Sequence, residues 1–160
     1  MPVSVQFAVR SERGFDVEPG PEVVPDEPFH DWYGRLLFAA EGREVFVEDD
    51  LTALIASCFE AVARLSAGED FGAYVTRYPG EYGLAVAGED TTVSGPSIVD
   101  GAGVADAVLS APTVELLPAL YECGARALAY ARGLPGDEPG RAETLDGLDG
   151  LAAEARAALK

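Results

Sequence analysis

The feature that most constrains the fold of this chain is one apolar stripe in residues 51–67. Apolar side chains recur there at the spacing that places them on one face of an α-helix: Leu51, Leu54, Ile55, Cys58, Phe59, Val62 and Leu65. Asp49 and Asp50 precede the stripe, and one of them is expected to accept hydrogen bonds from the free amides of the first turn. Gly68 follows, as a residue type that commonly ends helices. The sequence therefore predicts an amphipathic helix over 51–67.

The residues before this helix predict strands. Apolar and polar residues alternate over 3–9, which is typical of a half-buried strand. Residues 34–41 and 44–48 predict two further strands, joined by a hairpin turn at Glu41-Gly42-Arg43. The intervening residues 10–28 are rich in Pro, Gly and acids, so we interpret them as a long loop or arm.

The residues after the helix predict more short strands and then helices. Strands are expected at 71–78 and 82–87, with a sixth over 91–94 and 97–99 that is broken at Gly95-Pro96. Residues 100–111 are ambiguous between a loop and a short helix. Two helices follow, over 114–132 and 143–159, and a Gly- and Pro-rich linker over 133–140 separates them.

The order of these elements predicts the fold class. The chain has 160 residues, which suits one domain. Short strands joined by tight turns predict an antiparallel meander. We therefore expect a single α+β domain over 1–160, with an antiparallel sheet of about five to six strands and the helices packed on one face.

The charge of the chain excludes two classes of partner. Lys and Arg number 11 and Asp and Glu number 28, which gives a formal net charge of −17. Binding to nucleic acid or to anionic lipid requires clustered basic residues, so neither partner is expected. The N-terminus lacks the basic region of a signal peptide, and no apolar run is long enough to span a membrane, so we expect a cytoplasmic protein.

The chemistry-bearing residues favour binding over catalysis. No phosphate-binding loop, nucleophile elbow or zinc-binding pattern occurs, and we expect neither a cofactor nor a metal. Acidic residues recur in pairs at the ends of elements, where they could form one negative face. With two tyrosines as anchors, the predicted partner-binding set is Glu41, Glu48, Asp49, Asp50, Glu69, Asp70, Tyr78, Tyr82, Glu89 and Asp90. Capping, solubility and adaptation to high salt are alternative explanations of the same acids.

Two smaller features complete the set of candidates. His30 is the only imidazole, so an enzyme or ligand-binding domain would use His30, with Asp31 to orient it and Trp32 beside it. Cys58 and Cys123 both fall in predicted helices, and we interpret them as small buried hydrophobic side chains and not as a disulfide.

Residues 34–65, GRLLFAAEGREVFVEDDLTALIASCFEAVARL, followed by YGLAV at 82–86, resemble the small cytoplasmic immunity proteins of bacterial polymorphic-toxin systems. The resemblance lies in two strands, an amphipathic helix opened by acids, and further strands. It implies an inhibitor that binds a cognate basic toxin or enzyme and blocks its active site. No individual residue is carried over from the family as a contact.

We therefore expect an acidic protein-binding module with a basic protein partner. One alternative is an unrecognised small enzyme or ligand-binding domain centred on His30. Another is a structural or assembly subunit that self-associates through its C-terminal helices.

Overall fold

The computed structural model describes residues 2–12, 14–75, 80–99 and 103–160, without the side chains of 73–75, 80, 81, 96–99 and 103–106. Eight strands and three helices are present in this part of the chain. The first half contains β1 (Ser4–Ser11), β2 (Gly14–Val17), a 3-10 turn (Phe29–Asp31), β3 (Tyr33–Ala40), β4 (Arg43–Asp50) and α1 (Leu51–Ser66). The second half contains β5 (Phe71–Val75), β6 (Gly80–Ala87), β7 (Asp90–Val99), β8 (Gly103–Pro112), α2 (Thr113–Gly133) and α3 (Arg141–Ala158).

The strands form two antiparallel sheets of four strands each, in the orders β2-β1-β3-β4 and β5-β6-β7-β8. The α+β class is confirmed, but the prediction of one sheet with five to six strands is wrong. Helix α1 separates β4 from β5 along the chain, and β4 packs against β7 and β8 without pairing with either. One contiguous core nevertheless joins both sheets and all three helices, with Phe38, Phe59, Leu84, Leu120 and Leu148 among its members.

The elements with strong periodicity are confirmed. Helix α1 begins at Leu51 and ends one residue before the predicted bound, and Gly68 adopts the left-handed conformation at φ 77° beyond its end. The hairpin turn between β3 and β4 has positive φ at both Glu41 and Gly42, as a two-residue antiparallel connection requires. The expected cap is not seen at Asp50, which occupies the N-cap position but whose side chain makes no capping hydrogen bond. The other candidate, Asp49, accepts the N–H of Asp50 at 2.8 Å through its Oδ1.

Two segments expected to lack strands contain them. Within 10–28, residues of β2 pair with β1 from Ala8↔Val17 to Ser11↔Gly14, so only the remainder is a loop. Residues 103–112 form β8, which pairs with β7 along its whole length. The buried side chains Leu109 and Ala111 alternate there with exposed positions, but Ala has low β-propensity and obscured the pattern.

The predicted break in β7 is also absent. Gly95 is buried where the two sheets meet, and a Cβ on it would lie 3.0 Å from Cγ1 of Val45 in β4. Pairing of β6 with β7 reaches only as far as Ser94, so Pro96 lies where β7 has a neighbour on one side. A proline is tolerated at such an edge because its missing N–H leaves no ladder hydrogen bond unmade.

Candidate functional site

Two of the predicted acidic pairs meet at one end of the second sheet. Glu69 and Asp70 lie in the loop between α1 and β5, and Glu89 and Asp90 lie at the turn between β6 and β7. The Asp70 carboxylate crosses this gap, because its Oδ1 accepts a hydrogen bond of 2.9 Å from the backbone N–H of Val86 in β6. All four acids are exposed.

The N-terminus of α2 adds two residues that the sequence reasoning missed. The Thr113 N–H donates to the Glu89 carbonyl at 2.9 Å, which fixes the first turn of α2 beside the β6–β7 turn. Val114 is 80% exposed there, and Glu115 is exposed next to it. We call Glu69, Asp70, Glu89, Asp90 and Glu115 the acidic rim. In the sequence, the only indication that Val114 is exposed is that it lies off the apolar stripe of the predicted helix.

Three other predicted acids are used inside the fold. Glu48 and Asp49 are buried at the end of β4, and Glu48 forms an ion pair of 3.2 Å with Arg35 on the neighbouring strand. Asp50 is half-buried at the start of α1. Glu41 is exposed, but the strand register places it at the opposite end of β3 and β4 from Asp50. Glu48 and Asp49 are therefore buried inside the fold, and Glu41 lies apart from Asp50.

The predicted anchor Tyr82 does not contribute to the rim. Tyr82 is 3% exposed and contacts the rings of Phe38 and Phe71 in the core. Burial raises the pKa of its hydroxyl well above the ordinary range. Tyr78 lies outside the described residues.

The residues around His30 form a structural contact. His30 is exposed, and its Nε2 lies 2.8 Å from the carbonyl oxygen of Pro139 in the α2–α3 linker. Trp32 is buried, and its indole N–H donates to the Glu27 carbonyl at 3.0 Å. Asp31 is exposed beside them. The imidazole thus holds two segments of the chain together, and three clefts among the described residues have linings that do not include it.

A buried arginine completes this contact. Arg141 is 5% exposed and donates to the carbonyls of Ala131, Leu134 and Pro135, at the end of α2 and just beyond it. Its guanidinium also bonds to Glu138 Oε1 at 3.1 Å. We call this arrangement the Arg141 clasp. It connects the α2–α3 linker to the 3-10 turn, because Glu138 Oε2 accepts the N–H of Phe29 at 3.1 Å.

The hydrogen bonds around Glu138 favour the ionised form of its carboxylate. The pKa of Glu138 is lowered by a hydrogen bond from its own backbone N–H, and further by the Arg141 guanidinium and the Phe29 N–H. Each of these donors favours the ionised form. Glu138 therefore stays charged to a lower pH than a free glutamate.

A second acidic surface lies in the segment that the sequence predicts as a long loop or arm. An open cleft of about 470 Å³ is lined by carboxylates of Glu12, Glu22 and Asp26 together with Val23 and Val24. We call it the arm cleft. Across the described residues, no group of three or more His, Cys, Asp or Glu side chains is arranged to hold a metal ion.

The C-terminal helices pack against other parts of the same chain. Leu145, Leu148 and Ala155 of α3 are buried, and α1 packs against both α2 and α3. The apolar stripe that suggested self-association therefore contacts the protein's own core. Of the helices in the described ranges, none combines the length and the apolar character needed to cross a membrane.

Comparison of this chain with protein-family models, with curated proteins and with solved structures found no match in any of the three.

Proposed function

We propose that this protein is an acidic binding module that docks a basic protein partner on the acidic rim and inhibits it. The observation that carries the proposal is the convergence of five exposed carboxylates from three separate segments around the exposed Val114. Carboxylates steer a cationic partner toward the surface, and an apolar side chain among them provides contact area once the partner is bound.

The internal use of arginine supports this proposal. Six arginines among the described residues form ion pairs with acids of the same chain: Arg10, Arg35, Arg64, Arg126, Arg132 and Arg141. At the rim itself, Arg64 lies 3.7 Å from Glu69 in an exposed pair. Exposed pairs of this kind contribute little, so a cationic partner can displace them at low cost.

Inhibition is the outcome that the sequence resemblance implies. A partner with a basic active-site cleft presents the charge that the acidic rim attracts, and a bound acidic domain would cover that cleft. The proposal therefore includes a reaction that can be measured: the catalytic activity of the partner should fall as this protein is added, and reach its minimum at a fixed molar ratio.

The test compares two variants with the same net charge. The rim variant carries Glu69→Lys, Glu89→Lys and Glu115→Lys, and it spares Asp70 because that side chain bonds to the backbone of β6. The cleft variant carries Glu12→Lys, Glu22→Lys and Asp26→Lys on the arm cleft. Both replace three exposed carboxylates by three amines, so a loss confined to one of them reports on position and not on total charge.

Each form is used to capture proteins from a native lysate at low and at high salt, and the protein recovered is then purified and titrated. We expect a basic protein to bind the unmodified chain and the cleft variant, and the association rate with the rim variant to fall by about 10–100-fold. Equal binding by all three forms, or a loss confined to the cleft variant, would contradict the assignment of the rim. Binding without a decrease in the partner's activity would contradict inhibition.

A further inference from the structure

Two thiols meet in the interface between α1 and α2. Cys58 lies in α1 and Cys123 in α2, and their side chains are 1% and 0% exposed. Both cysteines are free, and Cys123 is the neighbour that most raises the pKa of the Cys58 thiol. The two cysteines are 65 positions apart in the sequence.

The helices approach closely at this contact. Gly124 follows Cys123, and a Cβ on Gly124 would lie 3.0 Å from Cβ of Cys58 and 2.8 Å from Cε1 of Phe59. Cys58 therefore points at the backbone of α2 next to its partner cysteine. A disulfide needs Cβ atoms about 3.5–4.5 Å apart, and helices that pack this closely can bring two cysteines within that range.

The surroundings slow the reaction of the Cys58 thiol while the interface is closed. The hydrogen bond with Cys123 and burial both raise the pKa of the Cys58 thiol well above the ordinary range. Since the thiolate is the form that attacks a disulfide, the closed protein should react slowly. Reaction requires the α1–α2 interface to open, or takes place before it has formed.

We propose that Cys58 and Cys123 form a redox-dependent cross-link, which a disulfide oxidant closes into an intrachain bond between α1 and α2. One cysteine thiolate attacks a sulfur of oxidised glutathione and releases one glutathione thiolate. The second cysteine thiolate attacks the protein sulfur of this mixed disulfide and releases the other glutathione thiolate. Two protein thiols are thereby oxidised to one disulfide, one oxidised glutathione is reduced to two glutathione thiols, and the two thiol protons end on glutathione.

The cross-link has a measurable effect on stability. It closes a long loop in the unfolded chain, and this removes conformational freedom from that state. For a chain of this size the melting temperature should rise by roughly 5–15 °C if the bond fits the native packing. A bond that distorted the α1–α2 interface would lower it instead.

The test equilibrates the full-length reduced chain with graded ratios of oxidised to reduced glutathione, with and without mild urea. Acid quenching, alkylation and mass spectrometry then count the thiols, and melting is followed in parallel. We expect a species 2 Da lighter than the reduced chain, faster formation in urea, and a raised melting temperature. Peptide mapping should show Cys58 joined to Cys123.

Cys123→Ala serves as the control, because its melting temperature should not respond to the glutathione ratio. If that variant does not fold, peptide mapping of the unmodified chain decides the question by itself. Free thiols or glutathione adducts alone at every ratio would overturn the proposal, and so would a disulfide that lowers the melting temperature.

Discussion

Replacing Arg141 by Met tests whether one buried guanidinium holds the α2–α3 linker in place. Methionine keeps an apolar stem of similar length but removes every donor. The Arg141 side chain bonds to the carbonyls of Ala131 at 3.0 Å and Leu134 at 2.6 Å, and both hydrogen bonds are buried. The last carbonyls of a helix have no partner within that helix, so the guanidinium supplies the donors that α2 itself cannot.

The expected loss follows from these contacts. Each buried carbonyl left without a donor costs about 1–3 kcal/mol. The guanidinium also lies 5.1 Å from the ring centroids of both Phe29 and Trp32, and cation–π contacts of this kind contribute about 0.5–2 kcal/mol. Folding of the variant no longer moves a charged guanidinium out of water, and this offsets part of the loss. We expect the free energy of unfolding to fall by about 3–5 kcal/mol, and the melting temperature by about 6–20 °C.

Equilibrium unfolding in urea measures this loss. Trp32 is the only tryptophan of the chain and lies against the clasp, so its fluorescence reports on the same contact that the substitution removes. Arg132→Met is the matched control. Arg132 is 39% exposed and pairs with Asp146 and Asp149 at the surface, which is worth at most about 1 kcal/mol. Equal losses in the two variants would refute the reasoning that burial makes the Arg141 contacts strong.

Three further predictions concern helix packing and pH. Gly124→Ala should destabilise the protein by about 1–3 kcal/mol because its Cβ would lie 2.8 Å from Phe59, whereas Gly147→Ala, with no atom within 4 Å, should stabilise it by about 0.5–1 kcal/mol. Urea unfolding of both variants checks this, and equal signs would contradict it. Burial raises the pKa of Tyr130 to about 12, so its contribution to stability should be complete below its unfolded pKa and be lost as the pH rises toward 12. An ultraviolet titration measures the ionisation of tyrosines in the folded protein. Ionisation of Tyr130 at its ordinary pKa would count against the prediction. Because the pKa of Glu138 is lowered, its contribution should be present above its unfolded pKa and be lost as the pH falls through the folded value. Glu138→Gln should therefore flatten the acid limb of the stability curve, and an unchanged acid limb would exclude this role.

The elements that could be predicted are those in which large apolar residues recur at the spacing of a helix or of a strand. The stripe of α1 and the hairpin of β3 and β4 have large apolar residues on one face, so their periodicity identifies them without tertiary information. The strand β8 was missed because its buried positions include alanine, which favours helices over strands. The division into two sheets was missed because packing of β4 against β7, at Val45 and Gly95, leaves no periodic signal.

The candidate site likewise has features that the sequence predicts and features that only the fold determines. The sequence identifies which residues are acidic, but it does not show which of them has a basic neighbour. Glu48 is paired with Arg35 only because the register of β3 and β4 places the two residues opposite each other, 13 positions apart in sequence. Glu89 has the same side chain, but it lies in a turn, where no neighbouring strand presents an arginine opposite it. The strand register thus pairs Glu48 within the fold, whereas the turn leaves Glu89 exposed.

This sorting also explains why total charge is a poor guide to the charge of any one surface. An arginine that pairs inside the fold lowers the net negative charge of the chain without changing the potential of a distant surface, because solvent and salt screen it beyond about 10 Å. The acidic rim lies at one end of the second sheet and the arm cleft lies beside the end of β1 in the first sheet, and both have exposed carboxylates. Two variants of equal net charge can therefore differ in binding, and such a difference would locate the face that the partner contacts.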